Sequence, residues 1–292
     1  MGWDSYHIFI HETNLHDVFL VKFFSKFIRK LEDNNLLDKY FYIRYWQGGP
    51  HIRFRVKKRG ENGKYIRQEL NKIFDEFNLE YNNSLILKPE DYYRNHKFDG
   101  QPVKKEDLYW CDNRTIVEIP YIPEIDRYGG ENVIELSEDL FHISSRLSLL
   151  ILEKIEDNPN KKIIAALDLF SVAIQILEDK AKFNEIYSSF WAKHRNEKIN
   201  YSKLTQKLID IYSSRYHYIK DNLKNIQYND WYMNLKTILD NIVKNQTKYK
   251  TQNQARISIL ASHIHMMNNR LGVYPQYESM IADVINQVIK KG

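Results

Sequence analysis

Residues 51–57 alternate in character, so in an extended strand His51, Arg53 and Arg55 share one face while Ile52, Phe54 and Val56 share the other. The second set is core material. In the first set, two guanidiniums two residues apart make a trap for a carboxylate, since each offers a planar bidentate fork. The preceding run, residues 41–46, places Tyr42, Arg44 and Trp46 on a common face in the same manner. A basic strand face is also an ordinary solvated surface. Such a face usually mixes signs and adds Ser or Thr, and this one carries arginine without an acid close in sequence. Spacing alone leaves both readings standing.

A second group lies in residues 121–130, where Pro123 and the pair Gly129-Gly130 mark a structured loop. Arg127 in this loop either reaches a site or pairs with Asp126 or Glu124. A third lies in residues 260–271. At helical spacing Leu260, Ile264, Met267 and Leu271 form the apolar stripe. His263 and His265 then sit about 200° apart at ~3.6 residues per turn, so they cannot jointly hold a metal. His265 shares its flank with Asn268 and Asn269. An imidazole titrating near neutrality is a natural proton carrier, though a lone helical histidine is more often structural.

Other signals fail. In residues 11–16, His11, Glu12 and His16 carry one residue too many for the His-Glu-x-x-His zinc helix. No Gly-rich phosphate loop is present, and Ser144-Ser145 lacks the context of a nucleophile elbow. Cys111 is the single cysteine, which excludes an internal disulfide and a paired-cysteine zinc site; no metal and no cofactor are expected. The net charge of +5 is modest for 292 residues, and Lys57-Lys58-Arg59 beside Gly60 reads as a turn, so direct nucleic-acid binding has little support. The start of the chain shows no signal-peptide pattern, Gly2 fails the myristoylation pattern because position 6 is Tyr, and no apolar run reaches membrane length. The expectation is a cytoplasmic protein with no membrane contact, and an oligomer is left open. Tyrosine, at 21 copies, supplies area plus a hydroxyl and suits half-wet surfaces, although most copies will simply pack elements together.

The elements that must position these groups follow from periodicity. Residues 6–11 read as a short strand. Residues 15–37 have helical spacing through Val18, Val21, Phe24, Ile28 and Leu31. Residues 41–46 and 51–57 flank Gln47-Gly48-Gly49-Pro50 as a β-hairpin. A helix is expected over 64–77. Residues 85–124 are irregular and aromatic, with strand pieces at 85–87 and 115–119. Beyond Gly130, Ser137 followed by two acids reads as a helix start. Helical runs are then expected at 137–155, 161–178, 183–194, 201–223, 231–244, 251–271, stopped by Gly272, and 276–290. The fold class is α+β in a single domain, 1–292: a mixed β-sheet region with a hairpin to residue 130, then a mostly helical region, 131–292, packed on it.

Taken in order, these segments resemble the C-terminal, glutamate-eliminating domain of class I lantibiotic dehydratases, a domain also found alone in thiopeptide gene clusters. The matching pieces are Trp3, residues 43–55, residues 122–130, Ser144-Ser145 in a Leu-rich helix, and His265 with Asn269-Arg270-Leu271. They span nearly the whole chain. The resemblance does not extend to the large glutamylation domain of the fused enzymes, so a stand-alone form is expected. It implies that a separate tRNA-dependent glutamylation protein esterifies Ser or Thr of a precursor peptide with glutamate. The elimination domain then removes the α-proton and expels glutamate, leaving dehydroalanine or dehydrobutyrine. The family's glutamate-handling arginines map onto Arg53, Arg55 and Arg127, and its functional histidine onto His265; Arg44, Trp46, His51 and Asn269 are expected to line the substrate. Strand addition of the leader peptide to the sheet is compatible with this.

Two alternatives accompany this expectation. The same family includes stand-alone pyridine synthases, which join two dehydroalanines by a formal [4+2] cycloaddition and expel the leader peptide. Their substrate bears no glutamate, and three arginines at the glutamate-handling positions favour elimination here. The other alternative is a non-catalytic subunit that holds precursor peptide or partner enzyme, which fold alone does not exclude.

Overall fold

A computed structural model describes residues 2–82, 85–95, 108–156 and 158–291. They divide into two compact units: Met1–Ile122 with Ser148–Asp157, and Pro123–Leu147 with Asn158–Gly292.

The first unit is a four-stranded sheet with helices. Its strands are β1 (Asp4–Phe9), β2 (Leu37–Tyr45), β3 (His51–Lys58) and β4 (Thr115–Glu118), in the order β2-β3-β1-β4. Every pairing in this sheet is antiparallel, where a mixed sheet was expected. The reason is topological. β1 and β2 run the same way, but the hairpin returns β3 between them, so they never pair. The β1–β2 crossover is one helical run in three parts: α1 (Leu15–Phe19), a π-helical turn (Leu20–Phe24) and α2 (Ser25–Asp33). The run stops four residues short of Leu37, which already opens β2. The extra residue of a π-turn shifts the phase of the apolar stripe, and Phe19, Phe23, Phe24, Phe27 and Ile28 all end up buried. Phe24 and Phe27 meet Phe54 edge-on, at ring distances of 5.1 and 5.8 Å. This is the face of Ile52, Phe54 and Val56, each fully buried as their alternation required. Helix α3 (Gly63–Glu80) adds Phe74 and Phe77 to the cluster around Phe19.

The hairpin turn depends on glycine. Gly49 has φ +104, and a Cβ there would fall 2.5 Å from the His11 ring. Residues 85–87 make no strand. The Leu85 amide donates to Glu12 (2.6 Å) and its carbonyl accepts from Asn113 (3.2 Å), so side chains take the bonds a ladder would have used. A short helix, α4 (Pro89–Asn95), follows, unforeseen in the sequence; residues 96–107 of the expected irregular segment lie outside the described residues.

The second unit is helical. A 3-10 turn (Ile125–Tyr128) leads through Gly129-Gly130 into α5 (Ile134–Ile155), whose residues from Ser148 onward count with the first unit. Then come α6 (Pro159–Ala173), α7 (Lys180–Ala192), α8 (Tyr201–Asp221), α9 (Asn229–Asn245), α10 (Gln252–Leu271) and α11 (Pro275–Lys291). Side chains of Asn158, Asp179, Asn200 and Thr251 cap α6, α7, α8 and α10. Ser137 is not the start of α5. The helix begins three residues earlier, and the fully buried Ser137 hydroxyl faces the His263 ring nitrogen at 3.5 Å. Gly272 ends α10 in the left-handed conformation, φ 74. Among the described residues, no helix is long and apolar enough to cross a membrane.

Candidate functional site

The first unit carries the hairpin arginines. Register places His7 opposite Arg53, Ser5 opposite Arg55 and Phe9 opposite His51 on β1 and β3; on β2, Tyr45 lies opposite His51 and Phe41 opposite Arg55. These residues share the sheet face turned away from α2. It is no solvated surface, because His7, His51, Phe9, Phe41 and Arg55 are all buried.

The Arg53 guanidinium lies 3.4 Å from the centre of the Tyr45 ring, and its Nε donates to His51 Nε2 at 3.1 Å. His51 Nδ1 meets the Gly49 carbonyl at 2.8 Å. The two bonds together fix a tautomer: Nδ1 carries the proton and Nε2 accepts. Burial, and then the charge of Arg53, push the His51 pKa well below its usual value. His51 therefore does not carry protons here; it orients Arg53. Gly49, conspicuous in the sequence as a turn residue, also supplies the carbonyl that anchors the ring.

Arg55 is held differently. Its guanidinium packs against Phe41 (5.3 Å) and Tyr121 (4.9 Å), which with Trp3 form a trio of edge-to-face rings. Trp46 stacks on Tyr45 at 5.5 Å just past the end of β2. Arg44 is on the opposite face of the sheet. It is in register with Ile52 and forms an ion pair with Asp17 of α1 at 2.5 Å.

The second unit carries Arg127, His265 and Asn269. Arg127 Nη1 pairs with Glu124 at 3.0 Å, as its local sequence allowed, and its Nε reaches Ser262 of α10 at 3.2 Å. Gly129, at φ +103 and closely packed by Gln246, Val133 and Ile259, holds the loop onto α9 and α10.

His265 is buried, and its Nδ1 lies 2.5 Å from Glu278 Oε1. Asn268 donates to Oε2 of the same carboxylate at 3.1 Å, and the Tyr187 hydroxyl donates to that oxygen as well. Burial, and then the nearby Glu278, drive the Tyr187 phenol well above its usual pKa, so it remains a donor. Three donors thus converge on one fully buried carboxylate. With Oε2 taken by Tyr187 and Asn268, Oε1 receives Nδ1–H of His265, which makes Nε2 the unprotonated nitrogen of the neutral ring. The ring is clamped flat against Trp191, 4.3 Å between centroids and 23° between planes. A carboxylate that fixes imidazole tautomer and orientation is how a histidine base is prepared. Asn269 is half-buried one residue beyond Asn268.

His263 has the other fate. It packs between Tyr128 (5.1 Å) and Phe141 (5.6 Å), and burial followed by the charges of Arg270 and Arg127 lowers it to about 3. It is a neutral core histidine.

Glu278 was missed in the sequence, as were Tyr187 and Trp191. A signal for Glu278 exists. It sits on the stripe Glu278, Ile281, Ile285, Val288 of α11, all fully buried, and an acid on an apolar stripe demands a partner. Nothing local marks Tyr187 or Trp191 among the many aromatic residues.

Fold and site define a class: an α+β chain with an N-terminal antiparallel sheet bearing a half-buried and a buried arginine on one face, and a helical part bearing a histidine–carboxylate pair. The chain belongs to the family described as lantibiotic biosynthesis dehydratase, C-terminal, whose profile matches residues 3–289. It is 27% identical over 290 residues to the epidermin biosynthesis protein EpiB of Staphylococcus epidermidis, covering 99% of this chain but 26% of that protein. The chain thus spans about a quarter of the length of that curated relative. Among solved structures, the pyridine synthase TbtD from thiomuracin biosynthesis superposes with a TM-score of 0.77 at 13% identity, covering 100% of this chain and 98% of that one. TsrL gives 0.71 at 11% identity, covering 99% and 94%. The tRNA-dependent lantibiotic dehydratase MibB from Microbispora sp. 107891 gives 0.57 at 15% identity, covering 100% of this chain and 28% of that one. At these identities the structural likenesses establish the fold.

Proposed function

We propose that the chain is a glutamate-eliminating lyase of peptide-antibiotic biosynthesis, acting on a precursor peptide whose Ser or Thr residues a separate protein has esterified with glutamate. The observation that carries this reading is Arg53. Its guanidinium is oriented in advance by Tyr45 and His51, and Arg55 lies two residues along the same face. Cationic forks held in place before substrate arrives suit a glutamyl carboxylate, because little side-chain entropy remains to be lost. In the first unit Arg53 and Arg55 grip the glutamyl group; the family resemblance also gives Arg127, in the second unit, a part in handling the glutamate. The family resemblance gives removal of the α-proton to His265, the imidazole that Glu278 orients within the second unit; the C–H electrons form the new double bond, and glutamate departs as a carboxylate that needs no proton. Glu278 stabilises the imidazolium so formed.

A second reading has specific support: the likeness to the pyridine synthase TbtD covers both chains nearly end to end. On that reading the substrate carries two dehydroalanines and the reaction is a cyclisation. The test offers both substrates to the purified chain and follows mass. Conversion of the glutamyl ester to dehydro residues, abolished in Arg53→Ala, supports elimination. An untouched ester together with cyclisation of the bis-dehydroalanine peptide overturns it. Binding without reaction of either peptide points instead to a subunit that only holds its partner.

A further inference from the structure

The face that carries the arginines has two more polar groups, which neither family resemblance nor local spacing assigns. Ser5 lies directly opposite Arg55 and His7 directly opposite Arg53, on adjacent antiparallel strands. Cross-strand neighbours of this kind stand about 5 Å apart at Cβ. Ser5 is 7% exposed and His7 2%. Among the described residues, Ser5 Oγ and His7 Nδ1 make no hydrogen bond. A buried polar group without a partner carries a desolvation penalty that an apolar residue of the same shape avoids. Two of them side by side, each facing an arginine, call for a ligand atom that satisfies both.

Charge decides what that ligand is. The neighbouring side chains are two guanidiniums, so the ligand is an anion and Ser5 and His7 must serve it as donors. His7 can do so without adding a competing charge, because burial, then Arg53 and Arg55, hold it neutral with a pKa of about 3. Its ring is also fixed in place, stacked on His51 at 4.8 Å and 21°, and His51 is itself pinned by Gly49 and Arg53. A carboxylate offers about four acceptor positions, enough for one N–H from each arginine, one hydroxyl and one imidazole N–H.

We propose that Ser5 and His7 complete the carboxylate subsite on β1 and β3, donating from β1 to the same glutamyl carboxylate that Arg53 and Arg55 take from β3. This rests on the elimination reading for the identity of the carboxylate, but not for the subsite itself. The direct test uses monomethyl glutarate, which has one carboxylate on a chain of glutamate length, with dimethyl glutarate as the neutral control. In protein with 15N-labelled histidine, the monoester is expected to shift the His7 ring nitrogens saturably while the diester leaves them unmoved. With a glutamylated peptide as substrate, His7→Phe, which keeps the stack on His51, is expected to raise KM about tenfold with kcat within threefold, the loss of one hydrogen bond to a charged group. His7→Asn restores part of that affinity, and Ser5→Ala, the mildest change and the safest for folding, raises KM severalfold. No shift with the monoester, or unchanged KM in both His7→Phe and Ser5→Ala, overturns the subsite even if elimination proceeds. Saturable, diester-insensitive binding by a wild-type chain that leaves the glutamyl ester intact upholds the subsite and removes the elimination reading instead.

Discussion

Arg53 and His265 reach readiness by different routes. Arg53 is flat against an aromatic ring and hydrogen-bonded through Nε, a geometry that needs a planar guanidinium. Arg53→Lys keeps the charge and loses both contacts, so kcat/KM for a glutamylated peptide is expected to fall at least roughly tenfold, as read from initial rates. His265 depends on the charge of its partner. Glu278→Gln preserves size but removes the negative charge and replaces one accepting oxygen with a donating NH2, and kcat is expected to drop roughly 10²–10⁴-fold with KM within a few fold. Unchanged kcat in that variant would assign the pair to packing alone. The residue scale also shows what sequence spacing could and could not convey. Arg53, Arg55, Arg127 and His265 stand out as candidates because they sit in short, ordered motifs. Their partners do not. Asp17 holds Arg44 from 27 positions away, and Glu278 meets His265 from the next helix. Such pairings are made by tertiary packing, which leaves no period in the sequence.

At the scale of elements, the hairpin and helices were legible because alternation and 3.6-residue spacing are strong where one face is buried, as at Ile52, Phe54 and Val56. The failures have local causes. Residues 85–87 carry strand-forming side chains, yet Glu12 and Asn113 take both backbone bonds of Leu85. Ser137 looks like a cap but lies inside the helix, where its hydroxyl faces His263. The turn of the hairpin is the element most exposed to a single change. Gly49→Ala places a Cβ at φ +104 and 2.5 Å from His11, and a loss of about 1–3 kcal/mol is expected in denaturant unfolding. Because Gly49 also anchors His51, that variant should lose substrate affinity as well; wild-type stability and KM together would remove the turn from the account.

On the scale of the whole molecule, five buried histidines among the described residues couple folding to pH. His7, His11, His16, His51 and His263 are all lowered, chiefly by burial, and in all but His11 next by a neighbouring arginine; His7 and His263 fall to about 3 and His16 to about 4. Below about 6.5 the unfolded chain takes up protons that the folded chain refuses, so stability falls as pH drops from there towards 4. Each histidine contributes up to about 1.4 kcal/mol per pH unit in that window. Urea unfolding at stepped pH should show this slope, and His263→Phe should flatten it by about one histidine's share; an unaltered slope would mean that His263 is protonated in the folded protein.

The most direct test of the central claim counts two products of one reaction. A purified precursor peptide carrying a single glutamyl ester is mixed with the chain, and free glutamate and dehydro residue are quantified over time. Elimination predicts one glutamate released for each dehydro residue formed, with neither appearing in Arg53→Ala. Glutamate released alongside restored Ser or Thr would reveal hydrolysis, and no glutamate at all would leave the ester outside the chain's chemistry; either result contradicts the lyase assignment.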